Sequence, residues 1–169
     1  IDSFIVSTDD EEIAMISREY GCEVPFIRPH EIATDSAKGI EVVLHALNWF
    51  ESREQKFDIL ILLQPTSPLR KVEDIDNSIE MLFEKNVKAI ISVCETEHHP
   101  LWSNTLSSDG SMRDFIRKDI LNKNRQELSK YYRINGAVYI AYCDYLMEWK
   151  GFLGNETFAY LMPQERSID

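Results

Sequence analysis

The densest grouping of ligand-recognising side chains is Leu63-Gln64-Pro65-Thr66-Ser67-Pro68-Leu69-Arg70. Gln64 offers both a donor and an acceptor. Arg70 is a permanent cation whose planar fork suits phosphate or carboxylate. Pro65 and Pro68 each fix a backbone φ, so this loop presents its groups from a set geometry. It follows an apolar run, Phe57 to Leu63, and ligands in open α/β sheets bind at the carboxyl ends of strands. The alternative is a rigid turn into the next helix, with Arg70 on the surface.

Other groups stand in reach of similar chemistry. Arg28-Pro29 follows the apolar pair Phe26-Ile27, so Arg28 either meets a ligand from a loop or is a solvated charge. Arg125-Gln126 and Arg133 bracket Tyr131 and Tyr132. They form either an acid-binding cluster or a solvated basic loop. Asn135-Gly136-Ala137-Val138-Tyr139-Ile140 puts a small pair in a strand pattern. Gly136 there permits close approach of a ligand, or marks a bulge.

Glu97-His98-His99-Pro100 invites a metal reading, but adjacent residues on a strand point to opposite faces and no second cluster completes a site. His45 lies among core positions and reads as structural. Trp49, Phe50, Phe83 and Phe115 need only core packing. GxSxG, HExxH and GxGxxG motifs and a glycine-rich phosphate cradle are all missing from the sequence.

The elements that must carry these groups alternate. Ser3 to Ser7 reads as a short buried strand. Thr8, Asp9 and Asp10 are helix-start residues, with Glu11 and Glu12 suited to the first turn. Ile13, Ile16 and Tyr20 share a helical face, and Gly21 sits where a left-handed cap is wanted. Ile40, Val43, Leu44 and Leu47 repeat at helical spacing. Phe57 to Leu63 predicts a central strand covered on both faces. Ile75, Ile79, Leu82 and Phe83 mark the next helix, and Ala89 to Cys94 another buried strand. The stretch from about Leu101 to Asn124 has no clean period. Tyr131 to Tyr142 reads as a strand, Cys143 to Trp149 as a short helix, and Phe158 to Met162 as a last strand. This alternation predicts an α/β domain with right-handed crossovers.

Bulk properties set limits. A chain of 169 residues with 44% hydrophobic side chains is long enough for one domain with a core. A formal net charge of −11 argues against a nucleic-acid surface, though not against a small anion held by a few local cations. No apolar run approaches the roughly 18 residues that span a bilayer, and Ile1 to Asp9 does not read as a signal peptide. Cys22, Cys94 and Cys143 form no metal spacing and no CxxC, which fits buried thiols in a reducing, cytoplasmic setting.

Taken in order, the segments resemble the acylneuraminate cytidylyltransferase (CMP-sialic acid synthetase) family. The resemblance runs from Val6-Ser7-Thr8-Asp9-Asp10-Glu11-Glu12-Ile13 through Arg28-Pro29, Ala33-Thr34-Asp35 and Val43-Leu44-His45-Ala46-Leu47. It continues with Leu63 to Arg70, Glu97 to Pro100, Arg125-Gln126 and Asn135 to Ile140, and closes on Arg166-Ser167-Ile168-Asp169.

The resemblance implies a nucleotidyltransferase-like (Rossmann-like), mainly parallel sheet flanked by helices. It also implies one catalytic domain over residues 1–169 with an irregular dimerisation excursion at 98–135, and a homodimer. The implied reaction transfers CMP from CTP to the anomeric hydroxyl of a sialic-type nonulosonic acid, legionaminic-type analogues included, and releases pyrophosphate. Magnesium is the implied cofactor. By the same resemblance Arg28 matches a nucleotide contact, and Gln64, Arg125, Gln126, Asn135 and Tyr139 match the sugar side. Phe158 and Tyr160 lie where the family has aromatics near the sugar, and Asp169 matches a metal-binding aspartate. No general base is assigned.

The sequence also departs from the family. The opening strand and basic phosphate loop that precede Val6 in the family are not in this sequence, and the match stops before a second metal aspartate. Gly39 stands where the family commonly offers a serine to the base. The 169 residues alone are therefore expected to turn over slowly or not at all, because nothing replaces a loop of backbone donors and cations around a triphosphate. The alternatives are a cytidylyltransferase for the eight-carbon acid 3-deoxy-octulosonate, or a non-catalytic module that binds nucleotide or sugar or only dimerises.

Overall fold

Helical periodicity and apolar runs become eight regular elements in the computed structural model, which describes residues 1–34 and 36–168. They are α1 (Glu11–Glu19), α2 (Gly39–Glu51), β1 (Ile59–Leu62), α3 (Val72–Glu84), β2 (Ala89–Glu95), β3 (Tyr132–Tyr142), α4 (Cys143–Trp149) and β4 (Thr157–Leu161). Two compact units carry them. One is Ile1–Leu60 with Ala141–Gly154, and the other is Ile61–Ile140 with Asn155–Asp169.

In the first unit, Asp10 caps α1 by accepting from the N–H groups of Glu12 and Ile13 at 2.8 and 2.9 Å. This satisfies donors that the first helical turn leaves without partners. Gly21 ends the segment at φ +83°, the left-handed conformation that the sequence predicts there. The Ile13, Ile16 and Tyr20 face is exposed, and the buried position of α1 is Ala14. Ser3 to Ser7 is not a full strand. It forms one parallel bridge, Ile5 to Glu23, and the next residue, Thr8, forms another with Ile27, too few paired residues to make a ladder.

The core of this unit is an aromatic chain. Phe26 meets His45 edge-on at 4.7 Å, and Phe50 packs edge-on against both Trp49 and Phe57. The Arg53 guanidinium covers the Trp49 ring at 3.6 Å. The structural reading of His45 fits this packing. Cys143, buried at the start of α4, has its thiol pushed up to about 11 by burial, with Asp144 and Asp58 adding to the shift.

The second unit holds β2, β4, α3 and most of β3. The strand order is β1-β3-β2-β4. β2 and β4 run parallel in the register Ile90–Phe158, Ser92–Tyr160, which follows from the crossover needed between parallel neighbours. β2 is buried almost throughout, as its continuous apolar sequence requires. β1 was expected to be central and covered. Instead it stands at one end of the strand order, and each of its residues is only half-buried. With one flank paired among the described residues, its side chains keep part of their exposure. On α3, Leu82 is fully buried but Phe83 is exposed, because successive helical positions point about 100° apart. Phe83 is thus not a core residue. Residues 96–131 contain two short 3₁₀ turns, Pro100–Trp102 and Arg125–Glu127, and otherwise irregular chain. Among the described residues no helix is long and apolar enough to cross a membrane.

Candidate functional site

The second unit gathers most of the sequence-predicted residues around β3. Its central position is Asn135, fully buried. The Asn135 amide donates to Ser167 Oγ at 2.8 Å and to Met162 Sδ at 3.4 Å. Its carbonyl oxygen accepts from Ser92 Oγ at 2.6 Å and from the Ala137 N–H at 3.3 Å. Both donors and both lone pairs are therefore used within the protein. Gly136 follows at φ +70°, so a residue with a Cβ would be strained there.

The loop after β1 is tied to this strand. The Ser67 hydroxyl, fully buried, donates to the Asn135 carbonyl at 3.0 Å. Arg70 donates to the carbonyls of Ala137 and Gln64, each at 2.6 Å. Arg70 is thus neither a surface charge nor paired with an acid among the described residues. Burial pulls its pKa down. Gln64 itself is half-buried at the carboxyl end of β1, and Tyr139 is half-buried further along β3.

A cavity of about 360 Å³ opens beside this strand, with Glu95, Thr96, His99, Arg125, Gln126 and Lys130 on its walls. That volume is at the small end of the range for ligand pockets. Arg125 has no carboxylate partner among the described residues, whereas Lys130 donates to Glu95 at 2.8 Å. Both ring nitrogens of His99 are bonded within the protein. Its Nδ1 accepts from the Leu101 N–H at 3.3 Å, so its Nε2 is the donor to the Ser129 carbonyl at 3.0 Å. This locks the ring as the wall beneath Tyr131, 4.7 Å away. Sequence reasoning missed Thr96, His99 and Lys130 as wall residues. The EHHP segment does place His99 beside this cavity.

Two ion pairs fix the surroundings. Arg133 forks onto Glu97 and donates to the Ser167 carbonyl at 2.9 Å. The Arg133 bonds hold the Glu97 carboxyl down at about 2, assisted by a backbone N–H and opposed by slight desolvation. Arg166 forks onto buried Asp74 at 2.7 and 2.9 Å.

Phe158 and Tyr160 share one face of β4, and the structure sets that face against α3 rather than beside Arg125. Tyr160 Oη accepts from Asn77 at 3.3 Å and donates to Asp74. Phe158 keeps an exposed ring, with Lys85 Nζ 5.7 Å from its centre. In the first unit, Arg28 donates its N–H to the Thr8 carbonyl at 2.8 Å, and its guanidinium pairs with Asp9. That pairing holds the Asp9 carboxyl below its usual range. The Arg28 Nε is buried with no partner among the described residues, an unmet donor suited to an anion. Asp169 lies outside the described residues. Among the described residues no three His, Cys, Asp or Glu side chains gather as a metal site.

Residues 1–149 match the family described as cytidylyltransferase. The chain is 32% identical to the CMP-N,N'-diacetyllegionaminic acid synthase of Legionella pneumophila, over 99% of this chain and 72% of that protein. It is 34% identical to the N-acylneuraminate cytidylyltransferase of Streptococcus agalactiae, over 97% of this chain but only 38% of that protein. A solved structure of CMP:2-keto-3-deoxy-manno-octonic acid synthetase complexed with CTP superposes with a TM-score of 0.61 at 13% identity. The superposition covers 96% of this chain and 73% of that one. At this identity the likeness speaks to the fold alone, which is the nucleotidyltransferase α/β fold.

Proposed function

We propose, because the chain belongs to the cytidylyltransferase family, that it transfers CMP from CTP to a sialic-type nonulosonic acid. The anomeric hydroxyl attacks the α-phosphorus. A new P–O bond forms, the α–β anhydride bond breaks, and pyrophosphate leaves while the hydroxyl proton passes to the medium. With little covalent work for side chains to do, the chain contributes positioning and charge. The relatives whose names specify nonulosonic acids support the sugar class.

One observation carries the acid side of this reading. In a chain of net charge −11, an unpaired arginine, Arg125, stands beside Gln126 on the wall of the cavity. A carboxylate is the natural partner of a free guanidinium fork, and the amide and hydroxyls nearby suit a polyhydroxylated chain. We assign Arg125, Gln126 and Gln64 to the acid, with Asn135 and Tyr139 shaping the strand behind them. Phe158 offers its exposed ring to the sugar, and Tyr160, two residues along β4 and bonded to α3, supports it. Arg28, with its unmet Nε, is assigned to the nucleotide. Magnesium, when bound, offsets triphosphate charge, and Asp169 is its proposed ligand. We assign residues 98–135 to a homodimer contact, since Leu106, Met112 and Leu121 are exposed there.

Steady-state kinetics of single variants of the full-length protein test this assignment. Arg125→Met should raise KM for the acid about tenfold or more, the cost of one charge-assisted contact, and leave KM for CTP unchanged. Arg28→Met should do the reverse. If Arg125→Met weakened CTP instead, the cavity would be the nucleotide's and the assignment would be wrong.

A further inference from the structure

We infer that Ser67 and Arg70 are positioning residues that staple the Gln64 loop to β3 and thereby hold the acid-binding groups in register. The choice of substrate rests on the proposed function above. The staple itself rests on geometry.

Arg70 is used differently from Arg133 and Arg166 of the same unit, which each pair with a carboxylate. Arg70 is half-buried and donates to two backbone carbonyls, those of Gln64 and Ala137. A planar fork can reach two carbonyls at once in a fixed direction, which a lysine ammonium cannot reproduce. Ser67 makes the second stitch, from a fully buried hydroxyl to the Asn135 carbonyl.

The two β3 carbonyls belong to alternate residues, and left-handed Gly136 lies between them. β1 has already ended at Leu62, before the loop that carries the two donors. Buried carbonyls need donors. Here two side chains supply what a neighbouring strand would otherwise give. The result couples Gln64, at the start of the loop, to the strand that carries Asn135 and Tyr139. Because Pro65 and Pro68 stiffen the chain between the stitches, a small loss at either stitch shifts the whole loop.

Full-length protein with Arg70→Met, Arg70→Lys and Ser67→Ala tests the staple by two readouts. The first is the pair of Michaelis constants, which do not depend on how much protein is folded. Arg70→Met is expected to raise KM for the acid about tenfold, the scale of a modest misplacement, with KM for CTP within about twofold. Arg70→Lys should fall between Arg70→Met and the parent. The second readout is hydrogen exchange, which should speed up in residues 63–70 and 135–139 and not elsewhere. An unchanged KM for the acid, or equal rises for both substrates, would overturn the positioning role. Unchanged exchange would overturn the staple itself. If the unmodified protein made no CMP-sugar from any acid, the proposed function would fall and the acid-positioning role with it, while exchange would still decide whether the staple exists.

Discussion

Arg166→Met is expected to lower stability by about 3 kcal/mol, read as a fall of about 10 °C in the thermal midpoint. Asp74 is fully buried near the start of α3, where its carboxylate also accepts the Lys71 N–H at 2.9 Å. Burial by itself would raise its pKa. The Arg166 fork, the Lys71 N–H and the Tyr160 phenol outweigh that and bring it below the usual value. Removing Arg166 leaves a buried carboxylate with no opposite charge beside it, which is worse than never having had the pair. The figure is set at the lower end because Arg166 is partly exposed, with 28% of its side chain accessible.

The pH dependence has a definite sign. A carboxyl with a depressed folded pKa contributes stability above its unfolded value of 3.8 and loses it as pH falls through the lower folded value. The gap between parent and Arg166→Met should therefore be full at pH 7 and close only as pH falls below 3.8 through the lower folded value of Asp74. Denaturant melts at several pH values would show it. A gap that did not change with pH would mean that Arg166 acts through packing alone.

Asn135→Ala is expected to cost about 3 kcal/mol as well, by a different route. It strands the Ser92 hydroxyl and the Ala137 N–H, removes a donor from Ser167, and opens a small cavity beside Met162. Asn135→Asp discriminates more sharply. It keeps the acceptor that Ser92 needs but turns an oxygen toward Met162 Sδ and buries a charge. Asn135→Asp should therefore be less stable than Asn135→Ala at pH 7. Equal melting of Asn135→Asp and the parent would show that the amide is not the centre of this network.

The regular elements were legible where a local signal decides them. Asp10 announced the cap of α1, helical spacing gave α2 and α3, and the apolar run 89–94 gave β2. The β1 run was legible as a strand, but its neighbours were not, because strand order depends on segments far apart in the chain. The same limit governs the site. Arg125 and Gln126 could be flagged as an acid-binding pair from their chemistry, yet nothing local says that Lys130 and not Arg125 is neutralised by Glu95, 35 residues away. Asn135 reads as a polar residue in a strand. Its saturation depends on Ser92 and Ser167, 43 and 32 residues distant. Arg70 was read as either ligand contact or surface charge, and it is instead bonded to a carbonyl 67 residues on. Phe83 was misplaced because helical spacing alone does not say how wide the buried stripe is.

Pyrophosphate release from CTP and magnesium, measured on the full-length protein with a panel of nine-carbon and eight-carbon ulosonic acids, tests the central claim most directly. The account predicts release with a nine-carbon acid and a matching yield of its CMP ester. Release only with the eight-carbon acid, or with none of them, would contradict it.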